Sequence, residues 1–468
     1  MPSSKVLFFC LTCLLTTVAC TPQTQTTPTA PPNIILIVAD DLGYGDLGAY
    51  GQTQIQTPYL DQLAAEGIMF TDFYAGSTVC APSRAVLMTG IPVGQNEIRG
   101  NKEVRPMGQH PLQDETVTLA EVLKQQGYTT GLIGKWGLGA PGSEGEPNRQ
   151  GFDYFFGYLG QRHAHNFYPE FLFRNTERIP LEGNVLPEPK REDGAGHSIE
   201  KTTYSHDLMT AEALEFVETN KESPFFLLLT LTIPHANNEA GQEGMEVPDY
   251  EPYVEASWPE PQQGLASMIS RMDRDIGRLV EKVDDLGLGN NTIIFFTSDN
   301  GPHAEGGNDP TYFDSSGPLR GIKRDLYEGG IRVPLIARWS GTIEPGSVSD
   351  HMGYFGDFMA TFSELSNART PVNTNSISLH PTLIGAADQA SHPYLYWEFY
   401  ERGSRQAVRE GDWKAVRQPM FSGELELYNL NEDISESVNV AAQHPEKVRE
   451  MLSIMDEAHI PDSLWSVR

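Results

Sequence analysis

Cys80 opens the run Cys80-Ala81-Pro82-Ser83-Arg84, and of four cysteines in 468 residues it alone lies beyond the N-terminal leader. Once that leader is removed it has no partner for an internal disulfide. Pro82 reads as a first helical residue, with Ala85, Val86, Leu87 and Met88 continuing the helix and Gly90 ending it. A helix start offers free N–H groups and the positive end of the dipole, both of which favour an anion. Arg84 falls one turn on, on the same side. Thiol, helix end and guanidinium form an anion-handling cluster; a buried free cysteine before an ordinary helix is the plain alternative.

Four apolar runs end in side chains of equal interest. Asn33–Ala39 leads into Asp40-Asp41, residues 128–133 into Gly134-Lys135, 224–233 into Pro234-His235, and 292–297 into Ser298-Asp299-Asn300. Open α/β sheets bind ligands beyond the carboxyl ends of their strands, so one edge should gather all of these groups. Asp40, Asp41, Asp299 and Asn300 are hard oxygen donors, suited to Ca²⁺, less to Mg²⁺, and poor for zinc. Either pair alone also reads as turn formers or caps. Crowded at one edge, the carboxylates require a compensating cation.

The elements that must position these residues follow the same alternation. Helices are expected at 57–67 (Thr57 as cap, Pro58 first, Gly67 last), 118–127, 205–220 and about 264–286, between the buried strands. After about residue 345 short half-polar strands take over, at 394–399, 405–409, 413–417 and 425–428, followed by a helix from about 445 to 457. The expected fold class is α/β: a large mostly parallel sheet sandwiched by helices, plus a smaller C-terminal subdomain with an antiparallel sheet and a helix. The domains expected are a leader at 1–20, a tether at 21–32, a catalytic domain at 33–345 and the subdomain at 346–468.

Lys+Arg 33 against Asp+Glu 63 gives a net charge of -30, which argues against nucleic acid as a partner because no basic stripe is available. An anionic substrate therefore needs a locally positive site. Lys5 followed by an apolar run too short to span a bilayer reads as a secretory signal. Its end, Thr17-Val18-Ala19-Cys20, is similar to a bacterial lipobox, with Thr17 where leucine is usual; plain cleavage is the alternative. The Thr- and Pro-rich tract that follows is a tether. The expectation is an exported protein, in the periplasm or at the outer membrane or cell surface. It would touch membrane only through a possible lipid anchor at Cys20.

The Cys80–Arg84 run followed by Met88-Thr89-Gly90 resembles the signature of the type I sulfatases, of the alkaline phosphatase superfamily. Ala39 to Gly45, Gly134-Lys135-Trp136, Pro234-His235-Ala236, Ser298 to Gly301 and Lys323 to Gly330 resemble further family stretches, in the right order. The resemblance implies that Cys80 is oxidised to formylglycine, whose hydrate is the nucleophile. It implies a divalent ion, usually calcium, held by Asp40, Asp41, Asp299 and Asn300 and touching the group made from Cys80. It also implies that Arg84 holds that group, that Lys135 and Lys323 neutralise sulfate oxygens, and that His235 protonates the departing alcohol. A formylglycine-generating or sulfatase-maturating enzyme is then an obligatory partner.

One departure stands out: Gly137 occupies the place where the family usually has a histidine that takes a proton from the hydrate. His165 or His303 is the expected substitute, and His163, His165 and His303 are candidate substrate residues, surface histidines of a sugar-binding loop being the alternative. The function expected is removal of sulfate from a sulfated carbohydrate. The alternatives are a phosphoester or phosphonate hydrolase of the same superfamily, and a non-catalytic lipoprotein that binds sulfated glycans. Substrate specificity is expected to lie in residues 141–200 and 237–262.

Overall fold

The computed structural model describes residues 1–2 and 31–466. The expected leader, the lipid-anchor cysteine Cys20 and nearly all of the tether fall outside the described residues. Among the described residues, no helix is long and apolar enough to cross a membrane.

The strands in chain order are β1 (Asn33–Ala39), β2 (Ile68–Phe70), β3 (Phe73–Tyr74), β4 (Thr129–Lys135), β5 (Tyr154–Tyr158), β6 (Phe171–Arg174), β7 (Glu177–Pro180) and β8 (Phe225–Thr230). They continue with β9 (Thr292–Ser298), β10 (Leu335–Arg338), β11 (Ser347–Ser349), β12 (Gly353–Tyr354), β13 (Leu395–Phe399), β14 (Arg405–Glu410), β15 (Trp413–Arg417) and β16 (Leu425–Asn429). The helices are α1 (Pro58–Ala65), α2 (Cys80–Thr89), α3 (Leu119–Gln125), α4 (Ser205–Asn220), α5 (Glu260–Asp285), α6 (Glu328–Ile331), α7 (Asp357–Leu365), α8 (His380–Leu383) and α9 (Pro445–Ala458).

A ten-stranded sheet runs in the order β11-β2-β10-β9-β1-β8-β4-β5-β6-β7. Its middle is parallel: β9, β8 and β4 flank or follow β1, and β5 pairs parallel with β4. Antiparallel strands lie outside it, with β10 on β9 and β6 on β5. The middle strands are buried on both faces, which is why they read as unbroken apolar runs. One apolar layer holds α2, α3 and α7, and the other α1, α4 and α5. Beside a two-stranded pairing of β12 with β3, a four-stranded antiparallel sheet runs in the order β13-β14-β15-β16, with Met451 and Met455 of α9 packed on it.

Two local expectations are corrected. Thr57 stands at the N-cap of α1, but its hydroxyl does not cap the helix; it accepts from Gly48 N and donates to Asp61. The cap is Asp273 of α5, whose carboxylate accepts from Tyr59 N at 3.2 Å and Leu60 N at 2.7 Å. The helix α2 begins at Cys80, two residues before Pro82. Proline fits there because the first turn of a helix has no intrahelical acceptor for its N–H groups.

The small sheet is tied to the site by a buried ion pair. Lys414 Nζ on β15 lies 2.7 Å from Glu328 Oε1 on α6, and both side chains are fully buried. Lys414→Met leaves Glu328 short of its nearest cation, so it is expected to destabilise the fold by about 3 kcal/mol or more. The check is the melting temperature, with the exposed Arg449–Glu446 pair as control: Arg449→Ala should leave it unchanged.

Candidate active site

Strand register brings the acidic groups together. Ala39 pairs with Ser298, so Asp40 and Asp299 leave adjacent strands side by side. Asp41 takes a left-handed φ of 66°, and its N–H donates to Asp299 Oδ1 at 3.2 Å. Asn300 Nδ2 donates to Asp41 Oδ1 at 2.7 Å and to the Gly301 carbonyl at 2.9 Å.

Helix α2 delivers Cys80 to this edge. Val79 is extended, the helix starts at Cys80, and the Ala81 N–H donates to Asn101 Oδ1 at 3.1 Å. Gly90 closes the helix at φ 68°, a conformation that favours glycine. Cys80 Sγ lies 3.4 Å from Asp40 Oδ1. One turn on, Arg84 forks onto Asp299 Oδ2 through Nε (3.0 Å) and Nη2 (2.8 Å), while Nη1 donates to the Lys135 carbonyl at 2.6 Å. A lysine could not make all three bonds.

Two lysines and a histidine complete the ring. Lys135 Nζ, at the end of β4, donates to Asp40 Oδ2 at 2.6 Å. Lys323 comes from a loop, fixed by its N–H to the Pro302 carbonyl at 2.8 Å. Its Nζ donates to Asp41 Oδ2 (2.7 Å), His235 Nε2 (3.0 Å) and Glu305 Oε2 (3.2 Å). His235 Nδ1 lies 2.6 Å from the Ala236 carbonyl, so Nδ1 carries the proton and Nε2 accepts from Lys323.

Burial and charge oppose each other here. Burial would raise the Asp40 carboxyl, yet the Lys135 and Arg84 charges hold it below its ordinary value. Asp41 is lowered in the same way, chiefly by Lys323 working against burial. Asp299 is raised to about 6 by burial and then by the Asp40 charge. Burial pushes the Cys80 thiol well up, so the unmodified side chain is a poor thiolate nucleophile. Burial and the neighbouring Lys323 charge lower His235 to about 3, leaving it neutral in this geometry.

The donor set fits a hard divalent cation. The carboxylates of Asp40, Asp41 and Asp299 stand with Asn300, whose Oδ1 is buried without a hydrogen-bond partner among the described residues although its amide nitrogen is fully used. A bare acceptor oxygen among three carboxylates suits Ca²⁺ or Mg²⁺. Oxygen, sulfur and nitrogen atoms of Asp40, Asp41, Cys80 and His235 also lie within 4.8 Å of one another.

The candidate histidines separate. His165 stacks on His235 with ring centroids 4.7 Å apart, and its Nδ1 faces Glu239 Oε2 at 3.2 Å. His303 also stacks near His235, with ring centroids 5.8 Å apart. Both His303 ring nitrogens are engaged by backbone: Nε2 with the Pro234 carbonyl, and Nδ1 with the Glu305 N–H. His303 is thus a support for His235 rather than a free base. His163 lies outside the cluster, buried against Tyr158 and Phe171 with centroids at 4.8 and 4.5 Å, and lines a neighbouring cavity of about 520 Å³.

Sequence reading missed Glu305, Glu239 and Asn101. Glu305 joins Lys323 to Arg324 (2.7 Å), and Glu239 joins Arg162 (2.9 Å) to His165. In a chain with 63 acidic residues, nothing in their spacing marks them.

A family model described as Sulfatase matches residues 32–387, and one for the C-terminal part of N-sulphoglucosamine sulphohydrolase matches 322–458. Arylsulfatase A of Bos taurus is 36% identical over 410 residues, covering 82% of this chain and 75% of that protein. N-acetylgalactosamine-6-O-sulfatase of Bacteroides thetaiotaomicron is 30% identical over 492 residues, covering 91% and 92%. A solved structure described under metabolism of multiple glycosaminoglycans by Bacteroides thetaiotaomicron aligns with a TM-score of 0.75 at 28% identity, covering 92% of this chain and 100% of that one. With the match spanning most of its length, the chain belongs to the type I sulfatase family and is a sulfuric ester hydrolase.

Proposed function

We propose that this enzyme removes sulfate from a sulfated saccharide, with Cys80 as the source of its nucleophile. The observation that carries this reading is the Cys80 side chain 3.4 Å from Asp40, inside a ring of Lys135, Lys323, Arg84 and His235. Oxidation of Cys80 to formylglycine supplies a hydrated aldehyde, a nucleophile that the high-pKa thiol is not. Asp40, Asp41, Asp299 and Asn300 would hold a divalent ion, calcium by donor type, which would polarise the sulfate and steady the nucleophile.

Lys135 and Lys323 neutralise sulfate oxygens as charge builds on them. Arg84 fixes Asp299 and the strand end that carries Lys135, and so sets the distance between nucleophile and sulfate. His235 Nε2, beside Lys323 Nζ, is the proton-carrying atom for the leaving alcohol. An anionic ester docked beside it offsets the Lys323 field and favours the imidazolium. Gly137 carries no base, so proton removal from the hydrate falls to another group. His165, stacked on His235 and paired with Glu239, is our candidate.

The saccharide reading is supported by the names of the relatives, several of them N-acetylgalactosamine-6-sulfatases, and by the polar 520 Å³ cavity beside the 160–165 loop. A maturating enzyme that oxidises Cys80, and export through the N-terminal leader with lipid at Cys20, complete the proposal. The test is release of sulfate from a panel of defined sulfated saccharides, with an aryl phosphate as counter-substrate. Turnover of the phosphate above all sulfates would overturn it.

His235→Ala gives a sharper check on the proton. An aryl sulfate has a good leaving group and should lose little rate. A sugar sulfate needs protonation of its alkoxide and should lose about 10²–10⁴-fold in kcat. Equal losses on both substrates would remove His235 from that role.

A further inference from the structure

Gln161 is 5% exposed, yet among the described residues neither its Oε1 nor its Nε2 has a hydrogen-bond partner. A buried, unpaired amide is costly and calls for an explanation. Its position supplies one. The Gly137 N–H bonds the Leu159 carbonyl at 3.0 Å, so the segments after β4 and β5 run on together past the strand ends. Gly137 lies two residues beyond Lys135, and a Cβ built on it would fall 2.1 Å from Gln161 Nε2 and 2.8 Å from its Cδ. The amide therefore fills the space a side chain at 137 would take. The left-handed φ of 78° at Gly137 suits glycine there as well.

The residues beside Gln161 connect a neighbouring cavity to the histidine pair of the reaction site. Gly160 and Arg162, on either side of Gln161, line the cavity of about 520 Å³. Arg162 pairs with Glu239, which holds His165 against His235. Gln161 thus lies between the end of the Lys135 strand and the layer that backs His235. An amide N–H in this position can gain an acceptor on binding, and a sulfate ester brings anionic oxygens that accept strongly.

We propose that Gln161 is a substrate-contacting group of this sulfatase, its Nε2 donating to a sulfate oxygen from the place left open by Gly137. This rests on the sulfatase reading of the site, which wild-type turnover of an aryl sulfate checks separately.

Gln161→Met keeps the volume over Gly137 and removes both polar atoms, and Gln161→Ala empties that space. For each, the measurements are kcat/KM on an aryl sulfate, inhibition by inorganic sulfate, and melting temperature. Gln161→Met is expected to keep or raise the melting temperature, because an unpaired buried amide is gone. It should nevertheless lower kcat/KM by about 10²-fold and weaken sulfate inhibition about tenfold. Gln161→Ala should show the same losses at a lower melting temperature. If Gln161→Met keeps kcat/KM and sulfate inhibition within about twofold of wild type, the amide is packing only and the proposal fails. If Gln161→Met does not fold, unchanged sulfate inhibition in Gln161→Ala overturns it equally.

Discussion

Cys80→Ala is expected to lower turnover of any sulfate ester by about 10⁴-fold or more while leaving the fold intact. The helix α2 is buried along its whole length and Cys80 starts it, so alanine fits the backbone and removes one sulfur. Few of the surrounding bonds depend on that atom. Asp40 keeps Lys135, and Asp299 keeps both arms of Arg84. What disappears is the thiol that the proposed oxidation to the nucleophile requires. The check is kcat on an aryl sulfate beside an unfolding curve. Loss of activity with an unchanged melting temperature is the expected pair.

Removal of divalent cations is expected to abolish activity, and Ca²⁺ to restore it. Asp40, Asp41 and Asp299 put three carboxylates into a buried edge, and Asn300 Oδ1 faces no donor. A bound cation would satisfy that oxygen and offset the burial and the Asp40 charge that together raise Asp299. With their charge taken by the ion, Lys135 and Lys323 are left to face the sulfate. At a free concentration of 100 times Kd the ion should stabilise the fold by about 2.7 kcal/mol. Asn300→Ala should raise the Ca²⁺ concentration needed for half-maximal activity. Dialysis against EDTA followed by Ca²⁺ or Mg²⁺ titration reads both effects, and full activity after EDTA would contradict the metal assignment.

Much of this site is legible in the sequence, for a definite reason. A strand buried on both faces must be apolar for its whole length, so the first polar residue after it marks the carboxyl edge. Asp40, Lys135 and Asp299 are each that residue or its neighbour. In a parallel sheet the edge collects them without further information. Lys323 has no such marker. It reaches the site through a long loop held by contacts such as its N–H to Pro302, and only the family resemblance points to it. The α1 cap is a tertiary choice, since Asp273 lies more than two hundred residues from the N–H groups it accepts. The short strands β2, β3, β11 and β12 have two or three residues each, too few for any periodicity to show. Gln161 is invisible for another reason: its meaning comes from the missing side chain at Gly137, a relation between two loops.

The most direct measurement is peptide mass spectrometry across Cys80, on protein made with a sulfatase-maturating enzyme and on protein made without one. The expected result is an aldehyde in place of the thiol in the first and an intact thiol in the second, with aryl sulfate turnover proportional to the aldehyde fraction. Equal turnover from protein in which Cys80 is entirely thiol would contradict the account at its root.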